Sequence, residues 1–262
     1  MSVAKPSAAY VIVSNLVRFF TTRPKFLGTE NLPDEPCILV GNHSQMIGPI
    51  VSELYFPGEP WTWCAGEMIE KSEVADYAFQ DFWSEKPKWN RWFFRIISRI
   101  IPPLSASVFG SARVVAVYHD MRVISTYRDS VSHMLEGGSL FIFPEHDVPY
   151  NNIVCEFQDR FVDTARFYYK KSGQAVPFVP VYVCPKLKTV SIGKPIRFDP
   201  AAPAAKERVR ISHGLMNAIT DLAAALPAHT VVPYNNVKKK DYPRSLPVTP
   251  ATEQTQISEE AE

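Results

Sequence analysis

The sequence predicts an α/β fold: a mostly parallel, mixed sheet covered by helices, preceded by an amphipathic N-terminal helix. Two observations lead there. Short β-branched runs alternate with stretches of helical spacing along most of the chain. After Ser139, the run Leu140-Phe141-Ile142-Phe143 is apolar at every position, which marks a strand buried on both faces. With 262 residues, 46% of them hydrophobic, the chain can bury a sizeable core as one α/β domain or two small ones.

Taken in order, Ala8 to Phe20 carries Tyr10, Val11, Val13, Leu16, Val17, Phe19 and Phe20, followed by Arg23. It is shorter than the ~20 apolar residues of a spanning helix. It suits either a helix docked on the body of the protein or an interfacial anchor. Phe26 to Pro36 reads as a strand edge and turn, Cys37 to Val40 as a buried strand, and Pro49 to Tyr55 as a short helix with Gly48 at its cap. Trp61 to Ala65 is a further strand. All five tryptophans fall between Trp61 and Trp92, and Trp89 to Ile101 is basic, aromatic and amphipathic. That stretch reads as a helix at a lipid headgroup layer, with packing into the core as the alternative.

Val114 to Tyr118 is a β-branched strand, and Val123 to Leu135 a helix closed by Gly137-Gly138. Phe157 to Lys171 follows as a helix, Val176 to Val183 and Thr189 to Ile192 as strands, and Val209 to Leu226 as a surface helix. From Lys238 onward the sequence reads as a disordered tail. The expected division is a helical segment over 1–25, an α/β domain over 26–237 and a tail over 238–262.

Lys and Arg total 28, Asp and Glu 27, and the net charge of +1 gives no reason to expect nucleic acid as a partner. The four cysteines show no C-x-x-C spacing and read as buried, reduced thiols. No secretory signal is evident, so a cytoplasmic location is expected.

In a parallel sheet, the loops after the strand C-termini form the crevice where ligands bind. His43, His119 and Glu145 each follow a predicted strand, and a loop histidine at a strand end suits proton transfer. His43, His119, His146 and Glu145 match no compact metal motif, so no metal is expected. Cys155 and Cys184 lie in no activated-nucleophile context.

These positions fall in blocks: Asn42-His43 after the first buried strand, Tyr118-His119-Asp120, Leu135 to Ser139 before Phe143-Pro144-Glu145, then Phe178-Val179-Pro180-Val181 and Ile192 to Ile196. In this order, from about Phe26 to Ile196, the chain resembles the glycerolipid (lysophosphatidate-type) acyltransferase family. The resemblance implies an acyltransferase-like fold and transfer of a fatty acyl group to a hydroxyl of a lysophospholipid or related lipid. Acyl-CoA or acyl carrier protein would be the co-substrate, with no further cofactor. The protein would be peripheral on the inner face of a membrane. His43 would be the general base and Glu145 would aid acceptor binding or orientation. Asn42, Ser44, Arg113, His119, Arg122, Pro144, His146 and Asp147 would contact substrate.

The chain departs from the family at chemical positions. Five residues after His43, where the family has an aspartate that orients the imidazole, stands Gly48. Losing an orienting carboxylate can cost about 10⁴-fold in turnover. Glu145, Asp147, Asp120 and Glu53 are the candidate substitutes. If the missing carboxylate limits the rate, Gly48→Asp is expected to raise turnover, and no gain in a folded variant would mean that another residue orients His43 or that the site is repurposed. The family's phosphate-holding arginine aligns with His119, leaving Arg113 and Arg122 to supply the charge. His146-Asp147 replaces the usual Gly-Thr. The alternatives are a catalytically silent lipid or acyl-thioester binder, and a protein-interaction module built on Trp61 to Ile101.

Overall fold

The computed structural model describes residues 6–69, 107–235 and 237–246. Twelve strands are set out along them: β1 (Lys25–Leu27), β2 (Ile38–Gly41), β3 (Trp61–Ala65), β4 (Val114–Val117), β5 (Leu140–Ile142), β6 (Glu145–Pro149), β7 (Cys155–Phe157), β8 (Pro177–Cys184), β9 (Thr189–Ile192), β10 (Ile196–Arg197), β11 (His229–Thr230) and β12 (Arg244–Ser245). The helices are α1 (Ala8–Phe20), α2 (Ile47–Leu54), α3 (Val123–Leu135), α4 (Asp163–Ser172) and α5 (Ala204–Ala224).

Eight strands form one sheet in the order β1-β9-β8-β2-β5-β3-β4, with β10 also on β8. Strands β8, β2, β5, β3 and β4 are mutually parallel, whereas β9 and β10 run antiparallel to β8. The predicted mostly parallel, mixed sheet is therefore the observed one. Every residue of β2, β5 and β8 is buried, as apolar runs without alternation require.

Period-two alternation sends these strands into two cores. Ile38, Val40, Leu140, Ile142, Phe178 and Tyr182 face one core with the apolar sides of α3, α4 and α5. Leu39, Phe141, Val179, Val181 and Val183 face the other, with Val51 of α2 and Phe56. Helix α1 lies against α2, through Tyr10 to Glu53 and Thr21 to Tyr55. It buries none of its own residues, and Phe19 and Phe20 are 81% and 76% exposed.

Helix α3 begins and ends where its spacing and glycine pair predicted, with Gly137 in the left-handed region (φ 91°). The predicted helix over Phe157 to Lys171 is instead strand β7, a 3₁₀ turn over Asp159–Val162, and α4 from Asp163. The segment expected to be a disordered tail begins with packed residues: Arg244 and Ser245 pair with Thr230 and His229, and the Gln45 amide donates to the Tyr242 hydroxyl at 2.9 Å. The Trp89 to Ile101 stretch lies outside the described residues.

Phe141 is fully buried at the centre of the second core, stacked on Phe143 (4.6 Å) and edge-on to Phe56 (5.0 Å). Phe141→Ala should lower the unfolding free energy by about 3–5 kcal/mol, measured by urea denaturation.

Candidate active site

Because β2, β3, β4, β5 and β8 are parallel, their C-terminal ends lie along one edge, and the chain after β2 turns sharply there. Asn42, fully buried, extends the β2–β8 ladder with its side chain. Its Nδ2 donates to the Val183 carbonyl (3.0 Å), and its Oδ1 accepts from the Val183 amide (2.7 Å). Ser44 Oγ accepts from the same Asn42 amide (2.8 Å) and also lies against Val183. Both side chains were expected to touch substrate, but they are committed to holding the strand end. Ser44 and Gln45 then take left-handed conformations (φ 46° and 56°) that swing the chain into α2.

Gly48 closes this turn by donating its amide to the His43 carbonyl at 3.0 Å. A Cβ on Gly48 would stand 2.6 Å from that carbonyl oxygen, 2.9 Å from the Asn42 oxygen and 2.8 Å from the Phe143 ring. Two of these atoms are backbone and cannot yield cheaply. An aspartate at this position could not be added beside His43 without shifting the turn, because a Cβ alone already collides with the backbone.

Glu145 opens β6, is buried, and faces two backbone amides. One carboxylate oxygen accepts from the His43 N–H at 2.5 Å and the other from the Cys155 N–H at 2.9 Å. It therefore clips the His43 turn to β7 through the main chain. Burial pushes this carboxyl up to about 7, although both amide bonds pull it down. The imidazole itself stands between the rings of Phe143 (5.5 Å) and Tyr234 (5.6 Å), both edge-on.

The half-buried His43 borders two cavities. The first, of about 370 Å³, is polar: His119, Glu145, Gln158, Arg160, Tyr118 and Tyr234 are in its wall, with Pro144 beside them. The second, of about 290 Å³, is apolar and lies on the α1–α2 side, walled by Val13, Val17, Ile50, Leu54, Met68 and Val114. Its lining includes Ala65 at the His43 end of β3 and Thr62 near the other, so it follows the strand for roughly 10 Å. Tyr10 and Glu53 line it too, and the Tyr10 hydroxyl donates to the Glu53 carboxylate at 2.5 Å.

Several expected residues lie elsewhere. Arg113 precedes β4, at the opposite edge of the sheet from His43, and is paired with Glu59. Arg122 sits over the Tyr118 ring at 4.1 Å and pairs with Asp120 at 2.8 Å, outside the cavity wall. That pairing holds the Asp120 carboxyl below its ordinary value. His146 and Asp147 continue along β6 and do not line either cavity, and Asp147 is exposed. Glu53 faces the apolar cavity, where burial raises its carboxyl. His119 is exposed at the rim of the polar cavity.

Arg160, Gln158, Tyr118 and Tyr234 were missed by sequence reasoning. For Arg160 the only available signal is a cation just after the Cys155–Phe157 strand, masked by the helical spacing assigned there. Among the described residues its exposed guanidinium forms no ion pair. Cys64 lines both cavities, but burial pushes its thiol up to about 12, far from a nucleophilic thiolate. Among the described residues, no three His, Cys, Asp or Glu side chains are grouped to hold a metal ion, and no helix is long and apolar enough to cross a membrane.

No protein-family model and no curated protein matches the chain. Among solved structures, the chain is similar to the 1-acyl-sn-glycerophosphate (LPA) acyltransferase PlsC from Thermotoga maritima. The two are 17% identical, the match covers 76% of this chain and 72% of that one, and the TM-score is 0.39. A likeness at that level carries no functional weight.

Two outcomes follow from the turn. Gly48→Ala and Gly48→Asp should each destabilise by about 1–3 kcal/mol or more through overpacking, read as a lowered melting temperature. Glu145 keeps its proton in the folded chain until about pH 7, whereas the unfolded chain releases it near 4.5. The folded state binds more protons between those values, so this stability is fully present below about pH 4.5 and declines as the pH rises through 7. Glu145→Gln should remove that slope from melting temperatures recorded across the interval.

Proposed function

We propose that the protein is an acyltransferase that moves a fatty acyl group from an acyl thioester to a hydroxyl of a lysophospholipid or related lipid. The observation that supports this best is the position of His43 between a polar and an apolar cavity. Acyl transfer to a lipid hydroxyl needs a dry slot for the chain, a wet slot for the acceptor head, and a base where they meet. In this reading His43 removes the proton as the acceptor oxygen attacks the thioester carbonyl. The new C–O bond forms, the C–S bond breaks, and the proton passes to the departing thiolate. No covalent acyl-enzyme and no further cofactor is required.

Glu145 acts by holding the His43 main chain. Arg160, which lines the polar cavity, takes the role of anion contact that sequence reasoning gave to Arg113 and Arg122. His119, at the rim, is a secondary contact. The transferase domain begins at residue 26 and extends past 237 to take in the Arg244–Ser245 strand paired with β11. Residues 1–25 serve as a peripheral contact with the inner face of a membrane, where Ile12, Leu16, Phe19 and Phe20 are exposed beside Arg18 and Arg23.

The packing around Gly48 favours a second reading, a catalytically silent lipid or acyl-thioester binder. The family resembled in sequence places an orienting aspartate at that position, and this turn has no space for one.

Thiol release from a panel of acyl-CoAs and acyl carrier proteins with mixed lysolipid acceptors separates the two. Transfer predicts release that depends on the acceptor and falls by about 10²–10⁴-fold in His43→Ala. Arg160→Ala should raise KM on the order of tenfold for acceptors bearing a phosphate, relative to uncharged ones. Equal, negligible release from wild type and His43→Ala with every donor would leave the binder.

A further inference from the structure

On the other face of the sheet, α3 and α4 leave an open groove of about 580 Å³ between them. Its lining is apolar, and Ile124, Leu135 and Phe167 remain 67%, 51% and 41% exposed. Arg128, Lys170 and Lys171 line it as well. Asp129 pairs with Arg128 at 3.0 Å, so the net positive charge along the groove comes from the two lysines at the end of α4.

We propose that this groove docks an acidic amphipathic helix of a carrier protein that delivers the acyl thioester. The inference rests on the acyl-transfer reading and names its donor. An apolar floor with cations along it is the complement of a helix that is apolar on one side and acidic on the other. The surface is concave, and a flat bilayer would leave it unfilled. It also belongs to the α3–α4–α5 face, opposite the face that carries α1 and α2. When α1 lies on a membrane, the groove faces the aqueous side, where a soluble partner meets it.

The groove borders the site. Tyr127 lines both the groove and the polar cavity, and its hydroxyl donates to the Arg160 carbonyl at 3.1 Å. A thioester arm extended from a helix seated between α3 and α4 passes Tyr127 to enter the cavity that holds His43. Coenzyme A has no apolar helix to fill the groove, so a CoA-borne donor would leave its apolar floor uncovered.

The test compares one acyl group carried by acyl carrier protein and by coenzyme A, using the full chain and the double variant Lys170→Glu with Lys171→Glu. The ratio of kcat/KM with the carrier-borne donor to that with the CoA-borne donor should fall on the order of tenfold, and raised salt should lower it in wild type. An unchanged ratio overturns the proposal. Anisotropy titration of labelled, unacylated holo-carrier protein reads docking without catalysis. Binding weakened about tenfold by the charge reversals and by Leu135→Asp supports the groove even if no donor is turned over, whereas no binding to the wild type overturns it. Self-association of the chain that Leu135→Asp abolishes would assign the groove to a second copy and also overturn the proposal.

Discussion

The turn from Asn42 to Gly48 is held by side chains and by close approach, not by a strand ladder, and the rest of the site takes its position from it. Asn42 makes with Val183 the pair of bonds that a backbone peptide would have made, so β2 stops without leaving β8 unpaired. Gly48 lets two carbonyls and an aromatic ring converge on one point. Glu145 ties the His43 amide to the amide of Cys155, so two segments far apart in sequence share one carboxylate. A buried carboxylate satisfied by two N–H groups is a strong local constraint, and its protonation turns one acceptor oxygen into a donor. The cost of keeping it ionised is visible in its raised pKa.

That constraint fixes His43 where two kinds of space meet. The apolar cavity lies against α2, so the helix that the turn launches also forms a wall of it. The polar cavity takes its groups from the ends of β4 and β5 and from the segment after β7. One short turn thus sets the relation between a surface suited to hydrocarbon and one suited to hydroxyls and anions. Neither Cys155 nor Cys64 offers a nucleophilic thiolate: burial pushes Cys155 up to about 11 and Cys64 to about 12.

The sheet was legible because its central strands are apolar at every residue, and α3 because spacing and a glycine pair agree on its limits. Elements that depend on distant partners were not. β6 reads Glu-His-Asp-Val-Pro, which has no apolar pattern and pairs only because Cys155–Phe157 returns beside it. The spacing of Phe157 and Phe161 imitates a helix, yet Phe157 ends a strand and Phe161 sits in a 3₁₀ turn. The segment after Lys238 looks unstructured because a two-residue ladder and one Tyr242 contact leave no periodic trace.

In the site, His43, His119 and Glu145, each read as following a strand, line the wall of one cavity. Nearness in sequence to His119 was a poor guide for Arg113, which precedes β4 and so lies at the far end of that strand. The roles of Asn42 and Ser44 could not be read locally, since their partner is Val183, 141 and 139 residues away. Gly48 looked like a missing functional group because the sequence cannot display how closely the backbone closes over it.

In the proposed reaction His43 separates an acyl compartment from an acceptor compartment. A crystal structure of the full chain with a long-chain acyl-pantetheine thioether analogue, the part common to CoA-borne and carrier-borne donors and unable to transfer its chain, would locate the bound chain. The acyl chain should lie beside α2 toward Glu53, with the thioether sulfur against the His43 imidazole. A chain bound elsewhere, with the apolar cavity empty and the sulfur remote from His43, would contradict it.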